Sequence, residues 1–218
     1  MSSAPTRIVH NTEAVAWLRA QPVLEGCSFI TSLPDVSETS LKLPDWKRWF
    51  VEAAGLVIDR CPDDGVAIFY QTDIKHEGTW IDKGYLVAKA AEQHGAELLW
   101  HKVVCRREPG GITFGRPAYA HMLCFSRGVR ADPARSTADV LPSTGEMTWP
   151  RAMGVAACRA ASRFILDATQ TRTIVDPFCG IGTALAVANE LGMNSIGVEM
   201  SRKRAERAMT LRVKPETA

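Results

Sequence analysis

Apolar and polar positions along this chain follow two different periods. Short apolar runs bounded by turn residues read as strands at Arg7–His10, Cys27–Thr31, Val66–Tyr70, Arg172–Val175 and Ser195–Val198. Glu97–Cys105 and Ala118–Ser126 are two more, and no helical pattern separates them, which predicts an antiparallel pair. Elsewhere the spacing is helical. Across Asp45–Arg60 the residues Trp46, Trp49, Phe50, Ala53, Ala54, Val57 and Ile58 fall on one helix face. Helices are also predicted over Thr12–Ala20 with Asn11 as cap, Tyr85–His94 ended by Gly95, and Arg151–Ala168. Thr183–Leu191 and a basic Arg202–Leu211 complete the set. Residues 128–150 lack periodicity and read as loop. Strands alternating with helices predict an α/β sheet of about seven strands.

A length of 218 residues suits one domain spanning residues 1–218. The net charge of +2 neither demands nor excludes a nucleic-acid partner. No apolar run approaches the ~20 residues of a membrane span, and MSSAPTR has no apolar stretch behind it, so a cytoplasmic protein without secretory signal is expected. The six cysteines form no CxxC pair and sit mostly in apolar surroundings, which predicts reduced, buried thiols and no metal site. The five histidines are scattered and read as structural.

The strongest chemical signal is the run from Thr173 to Thr183, TIVDPFCGIGT. A buried strand delivers Asp176, and a turn containing Gly180 and Gly182 then opens a helix. Glycine allows close approach of a ligand to the backbone there. Sixteen residues after Gly182 the next strand ends at Val198, and Glu199 follows. An acidic side chain at that strand end is placed to accept hydrogen bonds from two ribose hydroxyls, so a nucleoside cofactor would lie across the strand tips. A nicotinamide-binding fold is the rival. Against it stand the Asp-Pro-Phe before the glycines and the single helix left after Glu199. A tight strand–helix turn without ligand is the plainer alternative.

The segment DPFCGIGTALAVANELGMNSIGVEMSRKRAERA closely resembles the S-adenosylmethionine (SAM) binding region of the DNA/RNA amino-methyltransferase superfamily. That resemblance implies SAM as cofactor and a Rossmann-like, seven-stranded methyltransferase sheet. It places Asp176, Pro177, Phe178, Cys179, Gly180, Gly182 and Thr183 around the methionine part, Glu199 at the ribose and Met200 on the adenine, and Asn11 joins this set. In most SAM enzymes the cofactor strand comes first, whereas here it comes last. The order resembles the circularly permuted class, in which Arg172–Val175 and Ser195–Val198 are the first and second strands. Arg7–His10 then becomes the third, Cys27–Thr31 the fourth and Val66–Tyr70 the fifth, with the antiparallel pair last.

In that family the fourth strand ends in Asp/Asn/Ser-Pro-Pro-aromatic, and the matching positions are Ser32, Leu33, Pro34 and Asp35. A polar side chain and a carbonyl can orient an acceptor amine there. Asp35 departs from the pattern, because the family stacks an aromatic ring on a flipped base at this position. It is read either as a group that meets the acceptor or as a cap on the next turn. A cysteine nucleophile for pyrimidine C5 chemistry lacks the Pro-Cys it needs.

Two loops after the later strands carry Lys75, His76 and Trp80, and Arg107, Phe114, Arg116 and Tyr119. Cations interleaved with aromatics suit phosphate contact and base stacking, or describe an ordinary polar loop. The absence of room for a long recognition insert favours RNA over DNA and allows a protein partner for target recognition. The expected activity is N-methylation of a nucleic acid. A small-molecule or protein acceptor, and a non-catalytic SAM-fold subunit, remain as alternatives.

Overall fold

Side chains in the central strands are buried on both faces, and this dictates a three-layer arrangement. In the computed structural model, which describes residues 4–216, the order is β1 (Arg7–His10), α1 (Ala14–Ala20), β2 (Cys27–Thr31), α2 (Leu43–Arg60), β3 (Ala67–Gln71), β4 (Ile74–His76), β5 (Thr79–Ile81) and α3 (Lys83–Gln93). Then come β6 (Glu97–Cys105), β7 (Tyr119–Ser126), β8 (Val140–Leu141), α4 (Val155–Ala168), β9 (Thr173–Asp176), α5 (Thr183–Glu190), β10 (Asn194–Val198) and α6 (Arg202–Thr210). The reading of a missing secretory signal rested partly on residues 1–3, which lie outside the described residues. Among the described residues no helix is long and apolar enough to cross a membrane.

The main sheet has eight strands in the order β1-β10-β9-β2-β3-β7-β6-β8. Strands β1, β10, β9, β2 and β3 are mutually parallel, and β7 runs antiparallel to both β3 and β6. Alternate residues face opposite layers. Phe29, Phe69 and Val175 pack under α1, α2 and α3, whereas Ile30, Ile68 and Ile174 pack under α4 and α5. A third small cluster, Cys179, Leu185 and Ala208, fastens α6.

The expected antiparallel pair is present, and Arg7–His10 pairs along its length with Ser195–Val198. Seven strands is corrected to eight. Within the segment read as loop, Val140–Leu141 adds to β6, and the buried Lys102 ammonium secures it by donating to the Thr137 and Ala138 carbonyls at 3.0 and 2.9 Å. The loop after β3 also folds, into the β4–β5 hairpin. Helix α4 begins at Val155 rather than Arg151. Gly154 stands at φ +86°, and any side chain on it would strike the Thr144 carbonyl. The α1 cap is Glu13, whose carboxylate accepts from the Val15 and Ala16 amides, and not Asn11.

Candidate active site

The C-terminal ends of β9, β10 and β2 surround a cavity of about 610 Å³. Strand β9 is central, with β10 on one side and β2 on the other, so loops leaving these strands diverge and open a crevice. The predicted residues Ser32–Asp35, Asp176–Gly180, Thr183, Glu199 and Met200 all line it.

At one end Asp176 is buried. Thr31 Oγ1 and the Phe178 amide both donate to its Oδ1, at 2.8 and 3.1 Å. Its Oδ2 accepts from no described residue. Burial raises its carboxyl to about 7 against these hydrogen bonds, and the nearby Glu199 adds to the rise. Glu199 divides its oxygens in the same way. Oε1 takes the Ser201 amide at 2.7 Å and the Arg204 guanidinium at 3.0 Å, and Oε2 has no described partner. Two inward carboxylates, each with one oxygen uncommitted, fit a ligand that offers an ammonium and hydroxyls.

The glycines divide the turn's work. Gly180, at φ +55°, faces the cavity, where a Cβ would come no nearer than 3.8 Å to the Trp149 ring. Gly182, at φ +84°, is held by packing, since a Cβ there would lie 2.9 Å from Ala208 of α6. Thr183 pairs through its hydroxyl with Thr148 at 2.5 Å. Phe178 packs edge-on against Trp49 of α2. Pro177 completes the turn, and the Cys179 side chain joins the cluster beneath it. Met200 is 70% exposed at the rim. Asn11 lies outside the cavity lining but supports it, because its Nδ2 donates to the Glu199 and Met200 carbonyls, both at 2.9 Å.

The other end is built from β2 and its turn. Asp35 is 4% exposed, and its two oxygens grip Lys83 at 2.6 Å and Arg116 at 2.5 Å. Lys83 is itself 2% exposed, and burial lowers its ammonium below the usual lysine value while Asp35 opposes the shift. Its Nζ also lies 3.5 Å from the Leu33 carbonyl. The Pro34 carbonyl accepts from Trp46 Nε1 at 3.2 Å. The turn after Asp35 is closed by Glu38, whose Oε2 accepts the Asp35 amide at 3.0 Å.

Of the predicted substrate residues only Arg116 lines this cavity, together with Arg106. Lys75 sits over the Trp80 ring in the β4–β5 hairpin, and Trp80 faces a separate groove between α2 and α3. His76 is on the same hairpin. Arg107 and the outward Phe114 belong to the β6–β7 loop. Tyr119 packs on His121, within β7. Sequence reasoning passed over Thr31, Trp149 and Arg204. Thr31 and Trp149 contribute from outside the motif, and Arg204 from α6 just after Glu199.

All six cysteines are free, and burial raises the Cys61 thiol to about 12. Asp73, Asp82 and His121 come together with ligand-type atoms within 4.8 Å, a grouping that sequence spacing did not suggest. Protein groups occupy them. Asp73 takes the Lys83 amide and the Trp80 indole, Asp82 caps Tyr85, and His121 pairs with His101 at 2.9 Å.

Residues 159–210 match the family model of N6_N4_Mtase, described as DNA methylase. No curated protein matches the sequence significantly. A protein of Thermus thermophilus assigned as a DNA modification methylase is similar over 93% of both chains, at 16% identity and a TM-score of 0.72. Its complex with SAM matches with a TM-score of 0.69 at 18% identity, over 93% of this chain and 91% of that one. The cytosine-N4-specific PvuII DNA methyltransferase is similar over 94% of this chain and 86% of its own, at 16% identity and a TM-score of 0.72. The chain therefore resembles the DNA amino-methyltransferases in its cofactor segment and has their fold. The expected preference for RNA is corrected. These neighbours are described as acting on DNA, and the Thermus chain is of nearly equal length, so a short chain is no argument against DNA. Nothing in these matches supports a protein partner for recognition.

Proposed function

We propose that this protein is a SAM-dependent methyltransferase that methylates a nitrogen of a base in DNA. The observation that carries the reading is one cavity with the Asp176–Glu199 carboxylates at one end and the Ser32-Leu33-Pro34 turn at the other. Asp176 Oδ2 would meet the ammonium of the methionine part and Glu199 Oε2 the ribose. Gly180 leaves room along the backbone, and Met200 would cover the adenine. SAM supplies an electrophilic methyl group. The Ser32 hydroxyl and the Leu33 carbonyl take N–H groups of the acceptor and turn its lone pair toward that methyl, so the turn acts mainly by positioning. The β4–β5 hairpin with Lys75 and His76 and the β6–β7 loop with Arg107, Phe114 and Arg116 would provide the acceptor-facing surface, whereas Trp80 faces the groove between α2 and α3 and Tyr119 packs on His121 within β7.

The strand order suits a circular permutation of the seven-stranded methyltransferase sheet within a single domain. Strands β9 and β10 take the first two places, β1, β2 and β3 the next three, and β6 and β7 finish the edge, with β8 an addition. A second reading is favoured by Asp35 itself. With an ion-paired carboxylate where the family places a stacking ring, the site offers no ring to stack on a base at that position, which suits a small-molecule or protein acceptor that needs no base stacking.

Purified protein incubated with methyl-labelled SAM and separate DNA, RNA, protein and metabolite pools tests both readings. Label is expected in DNA, as N6-methyladenine or N4-methylcytosine after digestion. Label confined to metabolites or protein would transfer the assignment to the second reading, and no label in any pool would remove the enzyme reading.

A further inference from the structure

Two cavities share two arginines in their linings. Arg106 and Arg116 stand at the two ends of the β6–β7 loop, whose neck is tied by the Arg106 amide donating to the Ala118 carbonyl at 2.7 Å. Both line the candidate active-site cavity. Both also line a second cavity of about 520 Å³ on the loop, shared with Arg107 and Phe114. The Arg116 side chain is 40% accessible although it reaches Asp35. Arg106 pairs with no carboxylate among the described residues. Asp35 is thus a single carboxylate facing two cations, and with Arg106, Arg107 and Glu108 on the same loop cations outnumber carboxylates at the neck.

We infer that Arg106 and Arg116 clamp the phosphate flanking the acceptor nucleotide, and that Arg116 passes from Asp35 to this phosphate as the acceptor enters. The inference rests on the nucleic-acid reading above and narrows it to a phosphodiester-linked nucleotide rather than a free nucleoside or a neutral amine. A planar guanidinium matches phosphate with two parallel hydrogen bonds, and it is always charged. The two-cation arrangement explains how the exchange avoids an orphaned charge. When Arg116 leaves, enclosed Lys83 still pairs with Asp35, so no buried carboxylate stands alone. While no acceptor is present, Asp35 holds Arg116 across the mouth, already near its working place.

The test is the salt dependence of binding to a fluorescein-labelled DNA oligonucleotide, measured by anisotropy with the SAM analogue sinefungin present. Releasing the one clamped phosphate in the Arg106→Gln/Arg116→Gln variant is expected to lower the slope of log K against log salt by roughly 0.7–0.9. Asp35→Asn frees Arg116 and is expected to tighten DNA binding while slowing transfer. If that variant fails to fold because Lys83 is left uncompensated, Asp35→Asn/Lys83→Met serves the same arm. Far-ultraviolet dichroism and sinefungin affinity confirm that each variant is folded. An unchanged slope in the folded double variant overturns the clamp, and weaker DNA binding on loss of the Asp35 charge overturns the exchange. A lowered slope in the double variant, with a wild-type protein that transfers no methyl group to DNA, supports the clamp and removes the proposed function. Transfer to DNA with an unchanged slope does the reverse.

Discussion

Burial holds the Asp176 carboxyl at about 7, well above its ordinary value of 3.8. The raised value fixes the sign of two effects. Without cofactor, the group stabilises the fold fully below its unfolded value near 4, and that contribution is lost as pH rises through 7. Asp176→Asn should flatten the corresponding fall in unfolding free energy, as measured by urea denaturation at several pH values. A cationic ammonium beside Oδ2 favours the ionised form, so SAM binding below pH 7 should release a proton and tighten as pH rises to 7. Calorimetry in buffers of different ionisation enthalpy reads that proton. Glu199→Ala should weaken SAM binding by roughly 1–3 kcal/mol, again by calorimetry. Asp35→Ala leaves Lys83 charged and enclosed, which should cost about 3–5 kcal/mol in denaturant unfolding, more than the ~1 kcal/mol of a simple helix cap. Asp176 and Glu199 were legible because strand, turn and acid follow one another in sequence. The contacts of Thr31 and Lys83 were not. Thr31 meets Asp176 across 145 positions, and Lys83 meets Asp35 across 48, so no local pattern announces either contact.

Among the elements, the turn into α5 separates conformational strain from ligand access. Gly182→Ala combines a left-handed φ with a collision against Ala208, and should destabilise the protein by about 1–3 kcal/mol through displacement of α6. Gly180→Ala has a similar φ but open space, so about 1 kcal/mol is expected, with most of the effect seen as lost SAM affinity. Denaturation and calorimetry on the two variants, measured in parallel, separate these outcomes. Elements with a strong apolar pattern were legible, as in α2 and the fully buried β2. Strand β8 was not, because two residues cannot display a period and its pairing depends on Lys102 in a distant strand. The β4–β5 hairpin was missed for a related reason. Its Glu77-Gly78 turn, with both residues at positive φ, lies within polar sequence that has no apolar alternation. The α4 start was placed early because small residues precede it and only the collision at Gly154 stops the helix.

Across the molecule, the alternation of strand and helix made the layered α/β fold legible, while the segments proposed to face the acceptor have no periodicity to describe them. A ligand that binds only the folded sheet should stabilise the whole of it. SAM at a hundred times its dissociation constant should add about 2.7 kcal/mol, seen as a raised Tm that Asp176→Asn diminishes. The pairing of β1 with β10 carries a further consequence, in time rather than space. Thr6 and its partner Asn194 are 188 residues apart. At ~5–20 residues per second a ribosome needs roughly 10–40 s to make that span. Throughout that interval β1 has no neighbour, and β2 lacks the strand that will cover one of its edges. The growing chain therefore carries open strand edges until its last fifth emerges, and synthesis halted before residue 173 should yield a product prone to aggregate rather than a smaller stable protein.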